Sequence, residues 1–142
     1  MSQAPEYLSQ ARAELGNRCN AVEEAYEFML AYAGQGLESD SGSAKGGQVR
    51  DFLTKAEAAI GGLCAFVETF NKNRDVESLA PYAAFMDVIE RDARAARAAI
   101  GLVLAQPSIS SQVVDNLNAS IHLRALLTDL FLIDEVLKGH KD

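Results

Sequence analysis

Apolar residues recur along this chain at steps of three and four, the period of an α-helix that buries one face. In the first segment Leu8, Leu15, Val22 and Met29 repeat every seven residues, and Cys19, Tyr26 and Ala33 repeat on the same period. The second segment carries Val49, Leu53, Ala56, Ile60, Leu63, Val67 and Phe70. The third carries Tyr82, Met86, Ile89, Ala93, Ala96, Ile100 and Val103. A fourth carries Leu126, Leu130, Ile133 and Leu137. No stretch alternates with period two for long enough to form a strand.

Punctuation residues give the boundaries. Pro5 suits a first helical turn, and Gly34 and Gly36 suit a helix end. Ser78 is placed to cap the third helix, with Pro81 tolerated in its first turn, and Pro107 ends it. The pattern predicts helices at about 5–33, 47–71, 78–105 and 110–137. Four helices joined by two short connections imply an all-α fold, an antiparallel up-down-up-down four-helix bundle in a single domain over residues 1–142. The connection 34–46 is rich in Gly and Ser and reads as a flexible loop. Its Ser39, Ser41 and Ser43 leave open a binding or modification role. Acid-before-base pairs four residues apart mark the outer faces: Glu14–Arg18, Asp51–Lys55, Glu68–Lys72, Asp87–Arg91, Glu90–Arg94 and Asp134–Lys138.

Composition narrows the class. The chain has 142 residues, 49% apolar and 23% charged, with a net charge of −7. That excludes disorder and a disulfide scaffold, and it argues against nucleic acid as a partner. The most apolar stretch, Ile121 to Leu137, is interrupted by His122, Arg124, Asp129, Asp134 and Glu135, so no membrane span is expected. The first residues lack the basic and apolar regions of a signal peptide, and a cytoplasmic location is the expectation.

Several chemistries fail on residue supply. A di-iron bundle needs two Glu-x-x-His pairs, and neither His122 nor His140 follows a glutamate by three. Zinc needs clustered Cys and His ligands, which Cys19, Cys64 and the two histidines do not provide. There is no CxxCH, P-loop or dinucleotide fingerprint, and no supported nucleophile. The expectation is a non-enzyme without metal or cofactor. The pair Gly61-Gly62 reads as a packing feature of the second helix. The basic residues Arg91, Arg94 and Arg97 read as a solvated face partly neutralised by Asp87 and Glu90.

Counting levels along antiparallel helices places Cys19 near Cys64, which we read as two free thiols. The same count places His122 near Ala93, Ala56 and the Tyr26–Glu27 pair. An alanine-lined layer there implies close helix approach, filling by Tyr26, or a cavity for a small molecule. The segment Ile121-His122-Leu123-Arg124-Ala125-Leu126 also permits a phosphoaccepting role. In length and acidity the chain is similar to histidine phosphotransfer domains. That family has Lys three and Gly four residues after its His, where this chain has Ala125 and Leu126.

The fourth helix is apolar beyond one stripe. Leu123, Leu127, Phe131 and Leu132 are therefore the candidate interface residues. The leading expectation is a non-catalytic protein-interaction module, such as an adaptor, small chaperone or regulatory subunit, meeting a protein partner or a second copy as a homodimer. A small-molecule-binding bundle using Tyr26, Glu27, Ala56, Ala93 and His122 is the alternative, followed by phosphotransfer through His122.

Overall fold

The computed structural model describes residues 3–42, 44–73 and 76–140. These residues are helical and contain no strand, and they form five α-helices rather than the four expected. They are α1 (Gln3–Ala33), α2 (Ala44–Phe70), α3 (Ala80–Leu104), α4 (Ser111–Ala119) and α5 (His122–Leu137). Short 3-10 turns occupy Asn71–Asn73, Glu77–Leu79 and Lys138–His140. Ser78 falls in one of these turns, and the residue before α3 is Leu79, which makes no side-chain cap.

The predicted stripes form the core. Leu8, Leu15, Val22 and Met29 are buried, and so is every member of the second-segment stripe. In α3 the stripe holds from Met86 to Val103, while Tyr82 is half-buried and Ala83 takes its place. The second series of α1 lies one residue earlier than expected. Ala11, Ala25 and Tyr32 are buried, and Cys19, Tyr26 and Ala33 are half-buried.

Side-chain contacts fix which helices meet and in what sense. Tyr7 stacks on Phe70 at 5.2 Å and Phe28 on Phe52 at 4.4 Å, so α1 and α2 run antiparallel. Asn71 Nδ2 donates to Asp87 Oδ1 at 2.8 Å where α2 hands over to α3. Arg12 near the start of α1 pairs with Asp134 near the end of α5 at 2.8 Å. Asp134 therefore reaches across the fold instead of down its own helix to Lys138, which pairs with Glu135. The predicted Glu14–Arg18 and Glu90–Arg94 pairs do form.

The split between α4 and α5 is the main departure. Val114 and Leu117 are buried before it and Leu123, Leu126 and Leu130 after it, and at about 100° per residue the two sets would face opposite sides of one continuous helix. Local chemistry marks the break. Asn116, Asn118 and Ser120 are poor helix formers that compete for backbone groups. Ser120 Oγ donates to the Leu117 carbonyl at 2.6 Å and closes the last turn of α4. Ile121 then adopts a left-handed backbone at φ 65°. This is an uncommon state for a β-branched residue and costs on the order of 1–2 kcal/mol. The ladder restarts with the Ala125 N–H donating to the Ile121 carbonyl at 2.8 Å.

The segment expected as a loose tether, in its described part 34–42, is anchored to the α3–α4 connection. Ser111 N–H donates to the Leu37 carbonyl at 2.8 Å, and Leu37 N–H donates back to Ser111 Oγ at 2.9 Å. Asp40 accepts from the Ile109 N–H at 2.8 Å and from Arg50 Nε at 2.6 Å. Arg50 also donates to the carbonyls of Leu104 and Gln106, satisfying the end of α3. Gly36, at φ 67°, supplies the left-handed turn that brings Leu37 back toward Ser111. Ser43 lies outside the described residues.

Asp40 therefore joins three segments. The Ile109 amide, together with Arg50, holds its carboxyl below the ordinary value. Its contribution is present above the ordinary carboxylate pKa and is lost as pH falls through the depressed one. Asp40→Ala is expected to cost about 2 kcal/mol at neutral pH, measured by chemical denaturation. The Ile109 amide should lose hydrogen-exchange protection in the variant.

Candidate functional site

The candidate interface residues divide between core and surface. Leu123 and Leu127 are 2% and 4% exposed and pack in the core, which corrects their expected place on an outer face. The excess apolar character of the helix is thus partly absorbed by burial between α1 and α3. Phe131 and Leu132 do remain exposed, at 49% and 53%, joined by Ile121 and Val136.

Two contacts orient α5. Asp134 meets Arg12 and marks the flank toward α1. Asp129 meets Asp92 and marks the flank toward α3. Phe131 lies on the first flank, bordering a small cleft of about 170 Å³ with Leu15, Cys19 and Glu23. Leu132 and Val136 share the second flank with Asp129 by helical spacing. Counting antiparallel from the Asp92–Asp129 contact puts Leu102 of α3 at the level of Ile121. The outer side of α5 thus carries Leu132 and Val136 at one end and Ile121 at the other, with the exposed Leu102 of α3 at the level of Ile121.

At its middle sits the acid pair. Asp129 lies beside Asp92, and its Oδ2 is buried without a hydrogen-bond partner. Burial, then the neighbouring Asp92 carboxyl, pushes Asp129 up to about 7. Burial and a neighbouring carboxyl both disfavour the charged form of Asp129. The sequence offered a signal that was missed: Asp129 lies in series with Ala125, Leu132 and Val136, a flank otherwise apolar.

The alanine layer is closed. Ala56 and Ala93 are fully buried, consistent with close helix approach. Glu27 and His122 are exposed, and no hydrogen bond joins them among the described residues. Tyr26 of that group lines a cleft. Its neighbours there are Leu30, Ala33, Gly34, Asp115, Asn118, Ala119 and Arg124, around a volume of about 380 Å³.

Cys19 and Cys64 are free and half-buried. Burial, Glu23 and Asp134 push the Cys19 thiol up to about 11, and burial raises Cys64 as well. Both are therefore protonated at neutral pH and poor nucleophiles. Cys19 senses Asp134 of α5, whereas Cys64 senses Glu90, Arg94 and Arg97 of α3, so the two thiols address different neighbours.

The expected basic face is largely occupied with its own fold. Arg94 bridges Glu90 at 2.8 Å and Glu68 at 3.8 Å. A Cβ at Gly61 would stand 3.3 Å from Arg97 Cζ, and one at Gly62 would collide with the Arg18 guanidinium. The two glycines seat arginines from the helices on either side. Among the described residues no group of three His, Cys, Asp or Glu could hold a metal ion, and no helix is long and apolar enough to cross a membrane.

The raised Asp129 has a definite consequence for stability. A carboxyl whose folded pKa exceeds its unfolded value of about 3.9 binds more protons in the folded state between those limits. Stability therefore falls as pH rises from about 4 through about 7. Asp129→Asn is expected to raise the melting temperature by about 4 °C at pH 8 and to change it little below pH 5, read by calorimetry across pH. Comparison of the chain with protein-family models, with curated proteins and with solved structures yields no match.

Proposed function

We propose that this chain is a non-catalytic protein-interaction module of the cytoplasm, of the adaptor, small-chaperone or regulatory-subunit kind, that pairs with a second copy through the α3–α5 seam. In this reading α4 and α5 together serve as the broken fourth pillar of an antiparallel up-down-up-down bundle. The observation that carries the proposal is the distribution of exposed large apolar side chains. Seven such residues are exposed among those described, and four of them are Ile121, Leu132 and Val136 along α5 and its entry and Leu102 at the facing level of α3.

Their arrangement selects the occupant. Two apolar clusters stand at opposite ends of the seam, about 20 Å apart at 1.5 Å per residue, with the acid pair between them. A two-fold axis through that midpoint sets Leu132 and Val136 of one copy against Leu102 and Ile121 of the other, twice over. Such a self-complementary patch is what an isologous dimer requires. Burial of apolar surface supplies the affinity, because the net charge of −7 on each copy opposes association.

Light scattering or native mass spectrometry at about 100 µM is expected to give twice the chain mass, a concentration that reveals any dimer of micromolar affinity. Leu132→Glu and Leu102→Glu should each give monomer with the helical spectrum retained, since both side chains are exposed. Phe131→Glu, on the other flank of α5, should leave the dimer intact. A wild-type monomer at this concentration, or dimers that survive both seam variants, would overturn the reading.

A further inference from the structure

The cleft between α1 and the α4–α5 break has a polar inventory that the fold itself does not use. Asn118 lines it and is 9% exposed. Its Nδ2 donates to the Met29 carbonyl at 3.3 Å, which fixes the orientation of the amide. Its Oδ1 is then buried with no partner. An acceptor in that state is costly, and it marks a place for a donor. Asp115, one helical turn earlier on the same face of α4, lines the same cleft and has no ion-pair partner among the described residues. Two acceptors, one of them anionic, stand side by side.

Complementary groups stand across the break. Arg124 lines the cleft and is likewise without an ion pair among the described residues. It sits in the first turn of α5, whose N-cap residue Ile121 offers no side-chain cap. The opening amides of a helix lack internal partners, and with the helix dipole they favour an anion. The remaining walls are Tyr26, Leu30 and Ala33 of α1, Gly34 just after it, and Ala119 of α4. Leu30 is 49% exposed, an apolar side chain left open to solvent at the cleft. The left-handed Ile121 that separates the two polar corners is a strained residue of the sort that clusters at binding sites.

We propose that this cleft binds a free α-amino acid with an apolar side chain. The ammonium group donates to Asp115 and to Asn118 Oδ1, the carboxylate is held by Arg124 and the first turn of α5, and the side chain lies against Tyr26 and Leu30. A simple anion leaves Asp115 and Asn118 unanswered. A simple amine leaves Arg124 unanswered. A zwitterion answers both, and a volume of about 380 Å³ accommodates an amino acid of the size of leucine. The cleft opens beside α1 and its lining includes none of the seam residues, so its test does not depend on dimerisation.

The test is titration of the ¹⁵N-labelled full chain with L-leucine, L-isoleucine and L-phenylalanine, followed by NMR and calorimetry. The expected result is saturable shifts of the Asn118 side-chain amide and the Arg124 backbone amide, with Kd below about 1 mM for at least one of the three. N-acetyl-L-leucine, which lacks the ammonium, and L-leucinamide, which lacks the carboxylate, should bind about tenfold more weakly or worse. Asp115→Asn, an exposed substitution, should weaken L-leucine by a similar factor and leave N-acetyl-L-leucine unchanged. No saturable shift with any of the three amino acids would overturn the proposal. Equal binding of leucine and its two blocked forms would also overturn it, by reducing the cleft to an apolar surface.

Discussion

Ser111 is the point on which the arrangement of this fold turns. It is a polar residue 2% exposed, and a buried hydroxyl must be satisfied within the protein. Its Oγ donates to the Tyr32 carbonyl at 2.6 Å, at the end of α1, and accepts from the Leu37 amide. Its own amide holds the Leu37 carbonyl. The Tyr32 hydroxyl answers by donating to the Ile109 carbonyl at 2.7 Å. These four bonds tie the exit of α1, the following loop and the entry of α4 into one rigid end. Asp40 and Arg50 extend the tie to the last carbonyls of α3. Polar satisfaction, more than apolar burial, decides where α4 begins.

The starting point of α4 then sets the course of the chain beyond it. Ser110 caps the helix, accepting from the Val113 amide at 3.1 Å, and after nine helical residues it closes on Ser120. A helix continued from this start would have to carry α5 onward in the same line. Instead the left-handed Ile121 resets the direction, and α5 buries Leu123, Leu126, Leu127 and Leu130 with Asp134 in reach of Arg12. The strain at one residue is offset by burial of a full apolar stripe, each large side chain being worth roughly 1.5–3 kcal/mol. The same reset leaves a cleft on the α1 side and an exposed Ile121 at the end of the α3–α5 seam.

The limits of sequence reading have the same physical origin. Stripes in the first three segments were legible because burial selects side chains by period, and Val49 through Phe70 occupy the core as spacing predicts. The break at Ser120–Ile121 was not, because apolar residues on several flanks of the last segment mask the phase change between buried Val114 and Leu117 and buried Leu123 and Leu126. The surplus leucines of the last segment suggested an outer face, yet width of a stripe cannot tell a deeply inserted helix from an exposed one. Leu123 and Leu127 show the former. The loop after α1 read as a tether from its Gly and Ser content. Composition carries no information about Asp40, whose partners Ile109 and Arg50 are distant in sequence. Polar groups whose partners come from elsewhere, Asn118 and Asp129 among them, are the part of a site that spacing does not encode.

The acid pair adds a constraint on the seam in which it lies. A carboxylate between two apolar clusters weakens any contact made over it, since desolvating a charge costs several kcal/mol. Burial, then the neighbouring Asp92 carboxyl, raises Asp129 to about 7 and lowers that cost by favouring its neutral form. Covering the seam with a second copy would withdraw more water from the pair and favour the protonated form further. By linkage, a proton that covering favours must in turn favour covering. The two aspartates would then be more than a local irregularity of packing. They would make closure of the seam depend on the proton that keeps its centre close to neutral.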